Sequence, residues 1–267
     1  MLGRNRYGKS RVRIFKVLGP SQVVDLDVQI LLEGDFGAAH IEGDNSRVIP
    51  TDTMRNTSYV LAQEHLTSDL EGFAVVLADH FVASPQVVSA SIELSARSWS
   101  NLAPNGFVAS SGERRLARVK AGAEATSIGA GIDDLLVLKT TGSAFTGFPR
   151  DQYTTLPEAE DRLLATSITA SWDYGKVPAD TTVIWEGVRD LLIEHFFGDW
   201  SASVQHQGYL MGEAVLGAYP EITRIAFRMP NKHHLPAGFE RMGLEDRGTV
   251  FMPVDEPHGD ISLEVTR

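Results

Sequence analysis

Val23-Val24-Asp25-Leu26-Asp27-Val28-Gln29-Ile30-Leu31-Leu32-Glu33 alternates apolar and polar residues. Val24, Leu26, Val28, Ile30 and Leu32 share one face, and Asp25, Asp27 and Gln29 share the other, which is the period of a half-buried strand. Upstream, Val12 and Ile14 oppose Arg11 and Arg13 in the same way. Gly19-Pro20-Ser21 between the two runs reads as a turn, so the pair forms a hairpin with a somewhat long loop.

Helical period takes over downstream. One helix starts near Pro50-Thr51-Asp52, with Thr51 at its mouth as a capping residue. Another starts at Ser68-Asp69-Leu70-Glu71, a capping-box pattern, and turns Phe73, Val76, Leu77 and Phe81 inward. Strand period then returns: Val88, Ala90, Ile92, Leu94 and Ala96 alternate with polar residues. A shorter strand covers Arg114 to Gly122, after a loop from Asn101 to Gly106.

The second half repeats the order. Leu135 to Lys139 and Leu164 to Trp172 are strands, and Ile184, Val188, Leu191, Leu192 and His195 form an apolar helical stripe. Leu210, Ala214 and Ala218 form a second stripe, and strands near Ile222–Met229, Thr249–Val254 and Ile261–Val265 close the half. Strand–strand–helix–helix–strand–strand therefore occurs twice, as domains 1–133 and 134–267, with a repeat of pattern rather than of residues. Each is an antiparallel sheet with helices on its apolar face, an α+β arrangement whose other sheet face is polar.

Composition narrows the function. The 267 residues are 43% hydrophobic, enough for two cores. With 24 Lys+Arg against 35 Asp+Glu, the net charge of −11 speaks against a nucleic-acid partner. No apolar run of about 18 residues suggests a membrane span. The N-terminus lacks the apolar core of a secretory signal, and Ser262 to Arg267 does not end in the Ser-Lys-Leu peroxisomal address. The chain has no cysteine, which removes disulfides and thiolate metal sites and suits a reducing compartment, so a cytoplasmic protein is expected.

Six stretches carry candidate chemistry. Lys9 in Tyr7-Gly8-Lys9 is either a surface charge or a proton acceptor. Thr51-Asp52 sits where a helix N-terminus favours an anion. The stretch from Leu138 to Leu156 is long, polar and glycine-bearing, yet holds Phe145 and Phe148. Arg162, following Asp161, has the planar fork that binds planar anions in two places. In Ser203-Val204-Gln205, serine caps the next helix and the Gln205 amide matches neighbouring donor and acceptor atoms of a heterocycle. In Asn231-Lys232-His233-His234, an extended backbone sends the two histidines to opposite faces, which disfavours one shared metal and suits a proton relay on one side.

In this order, Tyr7-Gly8-Lys9, Thr51 to Thr57, Val137 to Phe148, Arg150 to Leu156, Asp161-Arg162, Ser203-Val204-Gln205 and Pro230 to His234 resemble the urate oxidase (uricase) family over nearly the whole chain. The resemblance implies two tandem tunnelling-fold (T-fold) domains and a homotetramer whose sheets close into a barrel, with sites between subunits. It implies urate, O2 and water as substrates and 5-hydroxyisourate and hydrogen peroxide as products, with neither metal nor flavin as cofactor. By residue, it implies stacking on Phe145, edge contacts from Arg162 and Gln205, and backbone contacts from Val204 and Asp52. Lys9 and Thr51 would form a proton-transfer dyad, Asn231 with Thr51 would hold O2 or water, and His233 would join the relay. A pterin-acting or purine-acting enzyme of the same fold, and a non-catalytic purine-binding tetramer, are the alternatives; the Arg162 and Gln205 pairing speaks against the pterin enzyme.

Overall fold

The computed structural model describes residues 1–123 and 125–267. Strand β1 (Tyr7–Gly19) and strand β2 (Gln22–Gly34) pair antiparallel, joined by Pro20 and Ser21 alone, so the turn is tighter than the sequence suggests. Helices α1 (Gly37–Ile41), α2 (Thr51–His65) and α3 (Leu70–Val82) follow, then strands β3 (Val87–Ala103), β4 (Gly106–Gly122), β5 (Thr126–Lys139) and β6 (Leu164–Tyr174). The chain ends with helices α4 (Thr181–Gly198) and α5 (Val204–Ala218), strand β7 (Ile222–Arg228), the short pair β8 (His233–Pro236) and β9 (Phe251–Val254), and β10 (Ser262–Thr266).

Two compact units result: Met1–Ile132 with Ser171–Glu186, and Asp133–Ala170 with Gly187–Arg267. In the first, the ladder runs β1-β2-β3-β4 with antiparallel pairs; β5 and β6 each divide between the units, and the antiparallel pair β7-β10 lies in the second. Val28, Ile30 and Leu32 of β2 are completely buried beneath α2 and α3 together with Met54, Leu77 and Phe81. Asp25 lies on the polar side of β2 and is nonetheless buried, because Arg13 reaches it at 2.5 Å and the Trp99 indole donates to it at 3.2 Å.

Helix starts differ from the sequence reading in instructive ways. Pro50, not Thr51, precedes α2, and Thr51 is its first helical residue. Asp69, not Ser68, caps α3, accepting from the Gly72 amide at 2.9 Å. Glu71 is thereby released from a capping box to enter the core. Helix α5 buries Val204, Gln207, Met211, Gly212 and Val215 rather than the Leu210–Ala214–Ala218 stripe. Its buried face is small enough for β10 to press against it: a Cβ on Gly212 would stand 2.5 Å from Val265. The period misleads here because close approach replaces the bulky stripe. On β3, Val87 is buried and Val88 exposed, and β3 and β4 extend past Asn101 to a turn at Pro104-Asn105.

The repeat also reaches individual residues. Gly8, Arg11, Val12, Ile14 and Lys16 of β1 recur 123 positions later as Gly131, Asp134, Leu135, Val137 and Lys139 of β5. Arg11 and Asp134 both adopt φ 56°, a left-handed conformation uncommon outside glycine. In β1, this is a bulge: register shifts between Lys9 and Val12. The bulge brings Lys9 and Tyr7 onto the same core-facing side as Val12, Ile14 and Lys16, opposite Ile30, Leu32, Val28, Leu26 and Val24. The lysine that ends each run meets a helix C-terminus. Lys16 donates to the carbonyls of Ala62, Gln63 and Leu66 at 2.7, 3.0 and 2.8 Å, and Lys139 to that of Asp199 at 2.8 Å. A cation suits the partial negative charge at that helix end.

The first unit also holds a buried ion pair. Arg115 bonds Glu71 at 2.7 Å, the single Thr181 hydroxyl proton is shared between Glu71 at 2.8 Å and Asp69 at 2.9 Å, and the guanidinium lies 5.6 Å from the Trp185 ring. Nearby Tyr174 has its phenol pushed far up by burial. Removing one partner strands the other charge in the core. Arg115→Met is therefore expected to lower unfolding stability by about 3–5 kcal/mol, and the double variant Arg115→Met/Glu71→Leu to recover most of the loss. Urea denaturation of the three proteins checks this; equal midpoints would contradict it.

Candidate active site

The sequence-derived candidates fall into two sets. Lys9, Thr51 and Asp52 belong to the first unit; Phe145, Arg162, Val204, Gln205, Asn231 and His233 belong to the second. Within the second unit, backbone pairing brings the pieces together.

After β5, the chain turns at Gly142, whose φ of 80° favours glycine. Ser143 then runs parallel to Ser201, with Ala144 donating to the Ser201 carbonyl at 2.8 Å and Ser201 to that of Gly142 at 3.1 Å. Phe145 and Ala159 exchange backbone bonds of 2.7 and 3.0 Å, and the Arg162 amide donates to the Ser143 carbonyl at 2.7 Å. The Asp161 carboxylate locks this knot, accepting from the Thr141 hydroxyl and from the Gly142 and Ser143 amides at 2.7 and 3.3 Å. Those bonds, led by the Thr141 hydroxyl, hold its pKa below the ordinary carboxylate value.

Phe145 and Arg162 are thus fixed side by side. Phe148 stacks on Phe145 with centroids 4.9 Å apart and planes 15° apart. The Arg162 guanidinium lies 5.1 Å from the Phe145 centroid, within cation–π range. Its Nε is buried without a hydrogen-bond partner among the described residues, as are the Ser143 and Ser201 hydroxyls. Burial holds the guanidinium below the usual arginine range, yet arginine stays charged. A half-buried cation with an unmet donor beside a flat aromatic ring has the chemistry to hold a planar anion.

Val204 and Gln205 arrive from the Ser201 side. Ser203 caps α5, its hydroxyl accepting from the His206 amide at 3.1 Å. The first N–H groups of a helix have no intrahelical acceptor, so the mouth of α5 is electropositive. Val204 is buried and Gln205 exposed. Beneath the knot, the buried Lys139 ammonium donates to the Gln207 side chain at 2.7 Å as well as to the Asp199 carbonyl, and Gln207 in turn donates to the His195 carbonyl at 2.9 Å. Burial pushes Lys139 below the ordinary lysine range, with the Asp199 and Asp161 carboxylates opposing it. The sequence signal for this floor was available: a lone cation closing the apolar run Leu135 to Leu138.

The Asn231 stretch is zipped to the start of β6, just after Arg162. Lys232 donates to the Ala165 carbonyl at 2.9 Å, the Thr166 hydroxyl to that of Pro230 at 2.9 Å, and the Asn231 amide to that of Gly259 at 2.8 Å. His233 and His234 lie on extended β8, so their rings point to opposite sides. His234 Nδ1 lies 3.1 Å from the Lys232 carbonyl, a local backbone contact.

In the first unit, Lys9 lies opposite Ile30 on the core side of β1, and Thr51 opens α2 half-buried. Asp52 is exposed, with its carboxylate paired to Arg55 at 2.7 Å and accepting from Asn56 at 3.2 Å, so its backbone rather than its side chain remains for a ligand.

Comparison with known proteins gives a consistent picture. The family model described as Uricase matches residues 5–127 and again 128–262. The chain is 38% identical over 273 residues to the uricase of Arthrobacter globiformis, covering 100% of this chain and 90% of that one. It is 36% identical over 276 residues to the uricase of Dictyostelium discoideum, covering 98% and 96% of the two chains. The crystal structure of the Arthrobacter globiformis uricase superposes with a TM-score of 0.95 at 37% identity, covering 100% of this chain and 95% of that one.

If Asp161 anchors the loop, Asp161→Asn should speed hydrogen exchange of the 140–146 peptide by about tenfold, as loss of a charged acceptor loosens amides that bond to it. The same loosening should occur in the unaltered protein as pH falls below 3.8, because a carboxylate with a lowered pKa contributes above that value and is lost beneath it. Hydrogen-exchange mass spectrometry reads both, and unchanged exchange in Asp161→Asn contradicts the anchor.

Proposed function

As this chain belongs to the uricase family, we propose that it oxidises urate with O2 and water to 5-hydroxyisourate and hydrogen peroxide, at a site assembled from its two sets of residues. The observation that carries this reading is the unmet Arg162 Nε beside the Phe145 ring. Urate is flat, electron-rich and mildly acidic, and such a ring fits that receptor.

Phe145 stacks on the purine, an interaction that contributes about 1–3 kcal/mol. Arg162 and the Gln205 amide grip opposite edges, and the Val204 and Asp52 backbones supply further bonds. Arg162 stabilises the bound anion and so favours loss of a second proton. Lys9 takes the Thr51 hydroxyl proton while Thr51 relays one from urate. The resulting dianion is itself the reductant: two electrons pass to O2, which leaves with two protons as hydrogen peroxide. Water then adds to the oxidised ring, held by Asn231 and the Thr51 hydroxyl, with His233 in the proton relay. The reading assigns no metal or flavin, because the electrons come from the substrate. The two sets of residues meet between subunits of a homotetramer: Thr51 and Asp52 come from one, and Phe145, Arg162, Val204, Gln205 and Asn231 from its neighbour. The polar sheet faces line the barrel that such subunits close.

Chelator-treated protein should consume urate and O2 and release peroxide in equal amounts. Binding without turnover would favour a purine-binding tetramer instead, and activity restored only by added metal would overturn the cofactor-free route. Lys9→Met and Thr51→Ala are each expected to lower kcat by about 10²–10⁴-fold, with the double variant little worse than either single one. Additive losses would argue against a dyad.

A further inference from the structure

The phenol of Tyr7 is held between the backbone atoms of one residue. The Ile49 amide donates to the Tyr7 hydroxyl at 2.7 Å, and that hydroxyl donates to the Ile49 carbonyl at 3.2 Å. Both partners are half-buried, and both pack against the core of the first unit. The ring meets Phe36 edge-on with centroids 4.7 Å apart. Burial raises the phenol above its ordinary pKa, the Ile49 bond opposing that, so it stays protonated and able to donate.

The staple joins two places that matter. Tyr7 is two residues from Lys9 on the same side of β1, opposite Leu32 and Ile30 respectively. Gly8 between them admits no side chain, because a Cβ there would lie 1.8 Å from the Ile30 carbonyl oxygen. Ile49 is two residues from Thr51, and the one residue between is Pro50, at φ −56° and ψ 135°, whose ring removes the φ freedom that would let Thr51 swing. Holding Ile49 therefore fixes the first turn of α2 against β1. Little slack remains between the Tyr7 oxygen and either functional side chain.

Comparing the two repeats separates what the fold needs from what this place needs. The glycine, the left-handed residue, the apolar pair and the terminal lysine occur in both β1 and β5. At the positions of Tyr7 and Lys9, β5 carries Ala130 and Ile132. In that repeat, the helix is tied differently: the Trp185 indole donates to the Gly131 carbonyl at 2.8 Å. The phenol and the lysine are thus found together, on the strand that packs against α2, and are absent together from the repeated strand. Lys16 offers a contrast, because it grips the far end of α2 and has its counterpart in Lys139.

We propose that Tyr7 is a positioning residue for the Lys9–Thr51 pair, setting the threonine hydroxyl against the lysine through its double bond to Ile49. This rests on the dyad reading above. The effect should fall mainly on the chemical step, because the stacking and edge-gripping groups belong to the other set of residues and this set adds only the Asp52 backbone contact to binding.

The test uses the full-length enzyme and Tyr7→Phe, which keeps the ring and its contact with Phe36 and deletes one oxygen. The expected result is a fall in kcat of about tenfold or more with KM for urate changed less than twofold, as misplacement near reacting groups is costly to rate. In a Thr51→Ala background, the same change should have little further effect. Lys16→Met serves as the control: it should lower the melting temperature and leave kcat unchanged. Tyr7→Phe with normal kcat, with equal losses in both backgrounds, or with a loss matched by Lys16→Met, overturns the proposal. If Lys9→Met and Thr51→Ala themselves keep full turnover, the dyad fails, and the positioning role fails with it; if they lose turnover while Tyr7→Phe does not, only the positioning role fails.

Discussion

Each sheet has one face apolar enough to need cover, and everything at the site follows from that one-sided burial. Helices must lie on the side of Val28, Ile30 and Leu32, and their ends must then be tied to the strands beneath. The ties are specific. Lys16 and Lys139 receive helix C-terminal carbonyls, and Tyr7 receives the backbone that leads into Thr51. Helix N-termini come to rest at fixed places, and those places hold Thr51-Asp52 in one unit and Val204-Gln205 in the other. The electropositive helix mouths at these places are a by-product of covering the sheet.

Much of this was legible in the chain. The alternation from Val23 to Glu33 gives strand, face and layer, and the candidate stretches stand out by residue type and order. What escaped reading was anything decided by approach distance or by a single unusual torsion. The α5 face was misread because Gly212 lets β10 in where a bulky stripe was expected. The bulge at Arg11 has no composition signal, since arginine seldom adopts a left-handed backbone. Without that bulge, simple alternation would place Lys9 and Val12 on opposite sides of β1, and Lys9 would have seemed to point away from the helices. The residue-level repeat between β1 and β5 was hidden for a related reason: its members share roles (a left-handed residue, a lysine for helix carbonyls) more than they share identities.

Function divides along the same line. Phe145 and Arg162, the groups proposed to recognise a flat anion, sit in a knot held by backbone pairs and the Asp161 carboxylate, which makes their geometry a property of the fold. Lys9 and Thr51, the groups proposed to move protons, stand on a strand and a helix that are separate elements. Recognition is preorganised by local pairing, and proton transfer by packing between elements.

The floor beneath that knot reaches further than the knot itself. Lys139 takes the carbonyl just past the end of α4, and Gln207 takes one from its last turn. The tail of α4, which meets no ligand in this reading, is in effect part of the foundations. Helix-length changes or sequence drift near His195 and Asp199 would be felt as a tilt of the Ser143–Ser201 seam, so a region with no chemistry of its own inherits the tolerance limits of the catalytic one.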